Sequence, residues 1–289
     1  MSSSRAMTPQ QPSAVLDLAR VPVLIRDLTE AKDVVKTNLG NRRLTARDLD
    51  KIRIPTGGNT TWQRPTLFGM QAQETIPAVI IGVGTPRTLW LTEFGKGDGA
   101  PPDCRSEDGV YGDGLYGRGG ERETEGGRAG FRKLEDGRSI PLAGECITCP
   151  MNKWPARGEA SRKKPCAELR NLFILPLDED MVLPQVIICP PGSLQVVDDF
   201  LIRLSGRGLP MYALALNIGL QQASNKAGIK YAQVKLSAIQ GGVMDAEGRA
   251  RARAYHEMLS PFFGRVDVDR SDISGEEDGA PDGESMASV

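Results

Sequence analysis

From residue 76 onward, short apolar runs alternate with turn-forming residues, a rhythm that predicts a β-rich core. Residues 76–83 form an apolar strand, Gly84, Thr85 and Pro86 a turn, and residues 87–94 a second strand alternating with period two. Residues 169–177 supply a third strand and 185–189 a short fourth segment. Ser193 is placed to cap a helix whose Leu194, Val197, Phe200, Leu201 and Leu204 share one face, with Gly206 and Gly208 ending it. Residues 211–221 and 229–239 read as two more strands, joined through residues 225–228. Upstream the pattern is weaker. Residues 1–12 are rich in Ser, Pro and Gln, as disordered segments are, and the apolar residues between Leu16 and Leu28 suggest a helical region that Pro22 interrupts. Thr45 is a candidate N-cap, and Thr56, Gly57, Gly58 and Asn59 form a turn with no phosphate-loop spacing around it.

The resulting order is strand, strand, cysteine-bearing insertion, strand, helix, strand, strand. It predicts a mainly β chain with helices (α+β), arranged as an OB-fold-like five-stranded barrel with an inserted zinc-binding subdomain. An unrelated α+β sheet is the alternative. Three parts are expected: a partly disordered N-terminal segment (1–40), the core (41–266) with its insertion at about 100–168, and an acidic disordered tail (267–289).

Within the insertion lie four of the five cysteines. Cys146 and Cys149 form a C-x-x-C knuckle, with Cys104 and Cys166 on either side, a donor set that suits one tetrahedral structural Zn²⁺. The long first gap holds a glycine-rich, charged insert (111–141) that can loop out of such a site. Disulfides would need an oxidising compartment, and no apolar signal segment is seen. A redox C-x-x-C would open a helix, whereas Pro150 and basic residues follow Cys149. Cys189 sits in an apolar run and reads as core. His256, the only histidine, is remote in sequence, which disfavours a catalytic His–zinc site.

Charge adds a second layer. The net charge is −1, yet eight acids against Arg270 alone fall after residue 266, leaving residues 1–266 at about +6. Such a tail either solubilises the chain or competes with nucleic acid for a basic groove. No run of about 18 apolar residues exists, so a membrane-free, cytoplasmic protein is expected. Alternation places Tyr231, Gln233, Lys235 and Ser237 on one strand face, and Thr88, Trp90, Thr92 and Phe94 on another. If solvent-facing, Trp90, Tyr231, Gln233 and Lys235 would suit base stacking and phosphate neutralisation; the alternative is that the aromatics are packed. Lys153, Arg157 and Lys163, with Trp154 among them, make the knuckle loop a basic extension of such a groove or simply a solvated loop.

Several segments carry a resemblance: Leu44 and Thr45 through Leu49, Ile54-Pro55-Thr56-Gly57-Gly58 with Trp62, Cys104 to Gly109, Gly144 to Pro150, and Lys164-Pro165-Cys166. Together they look like a group of phage and mobile-element proteins with a four-cysteine zinc motif, similar in a broader sense to phage single-stranded-DNA-binding proteins. The resemblance covers roughly residues 40–240 and implies an OB fold, a zinc subdomain and an acidic tail that meets replication or recombination proteins. The tail here ends Met286-Ala287-Ser288-Val289, without the aromatic or Pro-Phe tip that many such tails carry. The expected function is sequence-tolerant single-stranded DNA binding for phage-type replication or recombination, without catalysis. The alternative is a zinc-ribbon adaptor or transcription regulator bound to protein or duplex DNA. No metalloprotease motif, nucleophile elbow or paired-carboxylate motif supports an enzyme.

Overall fold

The apolar runs pair into one large sheet, and a smaller sheet carries the cysteines. The computed structural model describes residues 27–42, 44–91, 101–114, 131–133, 139–141, 143–155, 164–179, 181–225 and 228–272. The strands in chain order are β1 (Lys51–Ile52), β2 (Trp62–Thr66), β3 (Gly69–Gln73), β4 (Thr75–Gly84), β5 (Arg87–Leu89), β6 (Cys104–Ser106), β7 (Tyr111–Asp113), β8 (Phe131–Lys133), β9 (Ser139–Pro141), β10 (Ala143–Glu145), β11 (Cys166–Glu168), β12 (Arg170–Pro176), β13 (Gln185–Cys189), β14 (Leu214–Ser224) and β15 (Lys230–Val243). The α-helices are α1 (Leu28–Leu39), α2 (Pro191–Ser205) and α3 (Ala246–Leu259).

The main sheet has the order β1-β13-β12-β4-β14-β15, antiparallel throughout except for the parallel β1–β13 pair. Its central strands are apolar on both sides because both faces are covered. On one face Val197, Phe200 and Leu204 of α2 pack with Ile80, Leu172 and Leu216. On the other, Ala252, Tyr255 and Leu259 of α3 join Phe263 and Val266 against Val79, Ile81 and Phe173. A register shift sets Phe173 opposite Gly82 and Ile174 opposite Ile80, so Ile81 is an extra residue in β4. The bulge turns Gly82 towards Phe263, where a Cβ would lie 1.9 Å from that ring.

The α+β class holds, but no closed barrel is found among the described residues: β1 and β15 are the two edges of an open sheet. Other expectations change with it. The strand expected over 87–94 ends at Leu89 and belongs to the smaller sheet, while residues 92–100 lie outside the described ones. Helix α2 begins at Pro191, a position where a missing N–H costs nothing, with Pro190 as N-cap. Ser193 is therefore inside the first turn, and its buried hydroxyl accepts from Val234 N (3.1 Å) on the edge strand β15. The N-terminal boundary moves too, since α1 joins the core through Ala31.

The expected acidic tail also starts later than residue 267. Asp267 pairs with Arg47 and with Arg105 (2.9 Å), and Asp272 pairs with Lys51 (3.4 Å) and Arg53 (2.9 Å). The Asp272 side chain is 1% exposed, so this stretch is part of the folded body. The remainder of the tail, most of the glycine-rich insert and residues 1–26 lie outside the described residues. No helix among the described residues is long and apolar enough to cross a membrane.

Candidate metal centre and its surroundings

The smaller sheet has the order β10-β7-β6-β5-β11, all antiparallel. Leu89 pairs with Cys104 on one side and Cys166 on the other, so both cysteines flank the same residue on one face. Arg87, Ser106, Gly112 and Gly144 continue that face by register. The opposite face turns to the body: Thr88 is buried, and the buried Arg105 reaches Asp267 and Val266 O.

Folded over the cysteine face is the knuckle. Cys146 N donates to Val110 O (2.7 Å), Cys149 N to Cys146 O (3.3 Å), and Asn152 Nδ2 to Cys146 O (2.8 Å). Arg87 fixes it from below, donating to Asn152 Oδ1 (2.5 Å) and pairing with Glu168 (2.7 Å). The four cysteines thereby line one narrow cavity with Leu89 and Met151. Gly112 is its floor, since a Cβ there would lie 3.2 Å from Cys104 Sγ and 3.6 Å from Cys146 Sγ.

Chemically the cavity holds three thiols that resist ionisation, those of Cys104, Cys146 and Cys166. Burial pushes Cys104 up to about 12, with Cys166, Cys149 and Cys146 adding to the rise. Cys166 reaches about 12 for the same first reason, and Cys146 is raised by burial while the Ser106 hydroxyl and Arg87 oppose the rise. A divalent cation would reverse that balance, because each thiolate then gains a counter-charge.

The four donors fit zinc in kind and in face, and all four line the one cavity. No group of three or more His, Cys, Asp or Glu side chains among the described residues converges on a metal position. A tetrahedron with bonds of about 2.3 Å needs sulfurs about 3.8 Å apart. Zinc ligation would hold the sulfurs at that separation, with Gly112 leaving the space beside Cys104 and Cys146. Cys189 is fully buried beside α2, as its apolar setting implies. His256 lies on α3, its Nδ1 2.7 Å from Ile81 O.

The expected stacking groove does not form as drawn. Tyr231 is 4% exposed, so it is core rather than platform. Trp90 is half-buried against the cluster under α3. Lys235 and Ser237 are exposed and share an open hollow with Thr75, Asn217 and Glu74, and Gly219 leaves its floor bare. Gln233 turns away from that hollow: it donates to Gly192 O (2.6 Å) and accepts from Gln221 (2.7 Å). On the knuckle, Lys153 is exposed, while Arg157 and Lys163 lie outside the described residues. A better-placed aromatic is Trp154, 52% exposed, with the Lys164 ammonium 5.4 Å from its ring centroid. Its place among lysines is the sequence signal that marks it.

No protein-family model matches the chain, no curated protein is similar to it, and no solved structure matches its fold.

Proposed function

We propose that the protein binds single-stranded DNA with little sequence preference, without catalysis, and that one structural zinc holds its cysteine unit. The observation that carries this reading is Trp154: an exposed indole on the cysteine unit, between Lys153 and the stacked Lys164. A free aromatic face beside ammonium groups serves every base equally, and a stacked base is worth about 1–3 kcal/mol. The hollow at Lys235 and Ser237 offers a third cation and a hydroxyl to the phosphate backbone. An OB-like origin of the sheet belongs to the same reading, supported by the chain order β4, β5, cysteine unit, β12, β13, α2, β14, β15. So does a cytoplasmic role in phage-type replication or recombination, with the acidic C-terminal stretch meeting partner proteins.

Filter binding against oligo-dT, duplex DNA and RNA tests the reading. Oligo-dT should bind best, with affinity falling steeply as salt rises. Trp154→Ala should weaken it about 10-fold at unchanged thermal stability. Absence of oligo-dT binding at low salt, or full affinity in both Trp154→Ala and Lys235→Ala, would defeat it. Sequence-selective duplex binding would point instead to a regulator.

A further inference from the structure

The hairpin β2–β3 carries the two most exposed large apolar side chains of the described residues, Phe68 at 96% and Leu67 at 85%, with Met70 at 64% beside them. Its inner face is anchored. Trp62 is fully buried and donates Nε1 to Ile218 O (3.0 Å), and Arg64, 1% exposed, grips Asp178 (2.7 Å) and Glu179 (2.5 Å). The tip and β3 therefore project from a rigid base.

The backbone of β3 has a direction that Pro65 fixes. Lacking an N–H, Pro65 cannot exchange hydrogen bonds with Met70, its partner across the hairpin. Antiparallel pairs alternate, so Thr66–Gly69, Arg64–Gln71 and Trp62–Gln73 are the hydrogen-bonded pairs. Met70 and Ala72 consequently turn their N–H and C=O groups away from β2. On the far side of β2, Gln63 bridges to Arg53, as the same alternation requires. No strand pairs with the outer edge of β3 among the described residues.

Exposed edges usually carry a charge, a proline or a bulge that blocks further pairing. This one has none: β3 reads Gly69-Met70-Gln71-Ala72-Gln73, uncharged and regular. It is also complementary to itself. Antiparallel pairing centred on Gln71 sets Met70 opposite the second copy's Ala72 twice, forms four backbone hydrogen bonds, and places no charge opposite a like charge within the strand.

We infer that β3 is the pairing edge for a second copy of this chain, forming a two-fold dimer with a continuous four-stranded sheet. A two-fold, isologous contact is the commonest way for identical chains to meet. One short edge and three apolar side chains per copy bury well under the roughly 1,600 Å² of a standard interface, so the dimer is weak and concentration-dependent.

Sedimentation of the full chain from about 1 to about 300 µM should show a monomer passing to a dimer, a range suited to a small interface. Ala72→Pro removes an N–H that the hairpin does not use, so it should keep the protein folded and monomeric throughout. Met70→Lys, which adds a charge to an exposed side chain, should do the same and guards against a misfolded proline variant. A wild-type chain that stays monomeric to the top of the range, or a dimer that survives folded Met70→Lys, overturns the inference.

Discussion

Replacing Arg105 should loosen the cysteine unit from the body without touching a cysteine. Arg105 is 6% exposed and donates to Asp267 Oδ1 at 2.9 Å, Val266 O at 2.8 Å and Gly264 O at 3.3 Å. Truncation to alanine strands two carbonyls and one carboxylate at once. Cutting one side of a buried charge pair costs about 3–5 kcal/mol. Asp267 is 34% exposed and keeps Arg47 as a second partner, which holds the cost to the low end of that span, about 3 kcal/mol. Urea unfolding at neutral pH reads the loss as a lowered midpoint at unchanged slope. Arg105→Lys should recover part of it, since an ammonium can reach Asp267 but cannot serve both carbonyls as well. Zinc content, measured alongside, should stay as in the unchanged protein. A loss below about 1 kcal/mol, or an equal loss in an Asp267→Asn background, would refute the account of Arg105 as the rivet between the sheets.

Further outcomes are open to measurement. Purified protein should hold about one zinc per chain, with Cys149→Ser losing it and Cys189→Ser keeping it by metal analysis. Gly112→Val should cut zinc affinity, read by chelator competition, while the main sheet melts as before, because its side chain enters the space beside Cys104 and Cys146. Asp108 accepts from Tyr111 N, Val110 N and the Ser106 hydroxyl, and these bonds, Tyr111 first, hold its carboxyl below the usual range. A depressed folded value means stability that is present above the ordinary carboxylate range and lost as pH falls through the lowered one. An acid titration of the urea midpoint should therefore be flatter in Asp108→Asn.

Much of the strand pattern was legible because it depends on local alternation: residues 185–189 form β13 as expected, and 76–83 lie within β4. The grouping of four cysteines around one cavity was legible from the C-x-x-C spacing. Which side of a strand is covered was not. Alternation separated Tyr231 from Ala232 and Val234, yet all three are buried, because cover is decided by elements far along the chain. The hairpin β2–β3 was invisible for the same reason. Arg64 looks like a surface residue until Asp178 and Glu179, more than a hundred residues on, neutralise it. The role of Gly112 follows only from the register that brings β7 beside β6.

The pairing of Lys51 and Arg53 with Asp272 has a consequence in time. Synthesis runs from the N-terminus, and Lys51 precedes its buried partner by 221 residues. At about 5–20 residues per second, these cations wait roughly 10–45 s before the carboxylate that neutralises them exists. Phe263 and Val266, which cover one face of the main sheet, arrive almost as late. The sheet itself is complete only once β15 ends at Val243, so its apolar face stays uncovered while the next few helical turns are made, and the native fold closes only once residues 263–272 leave the ribosome.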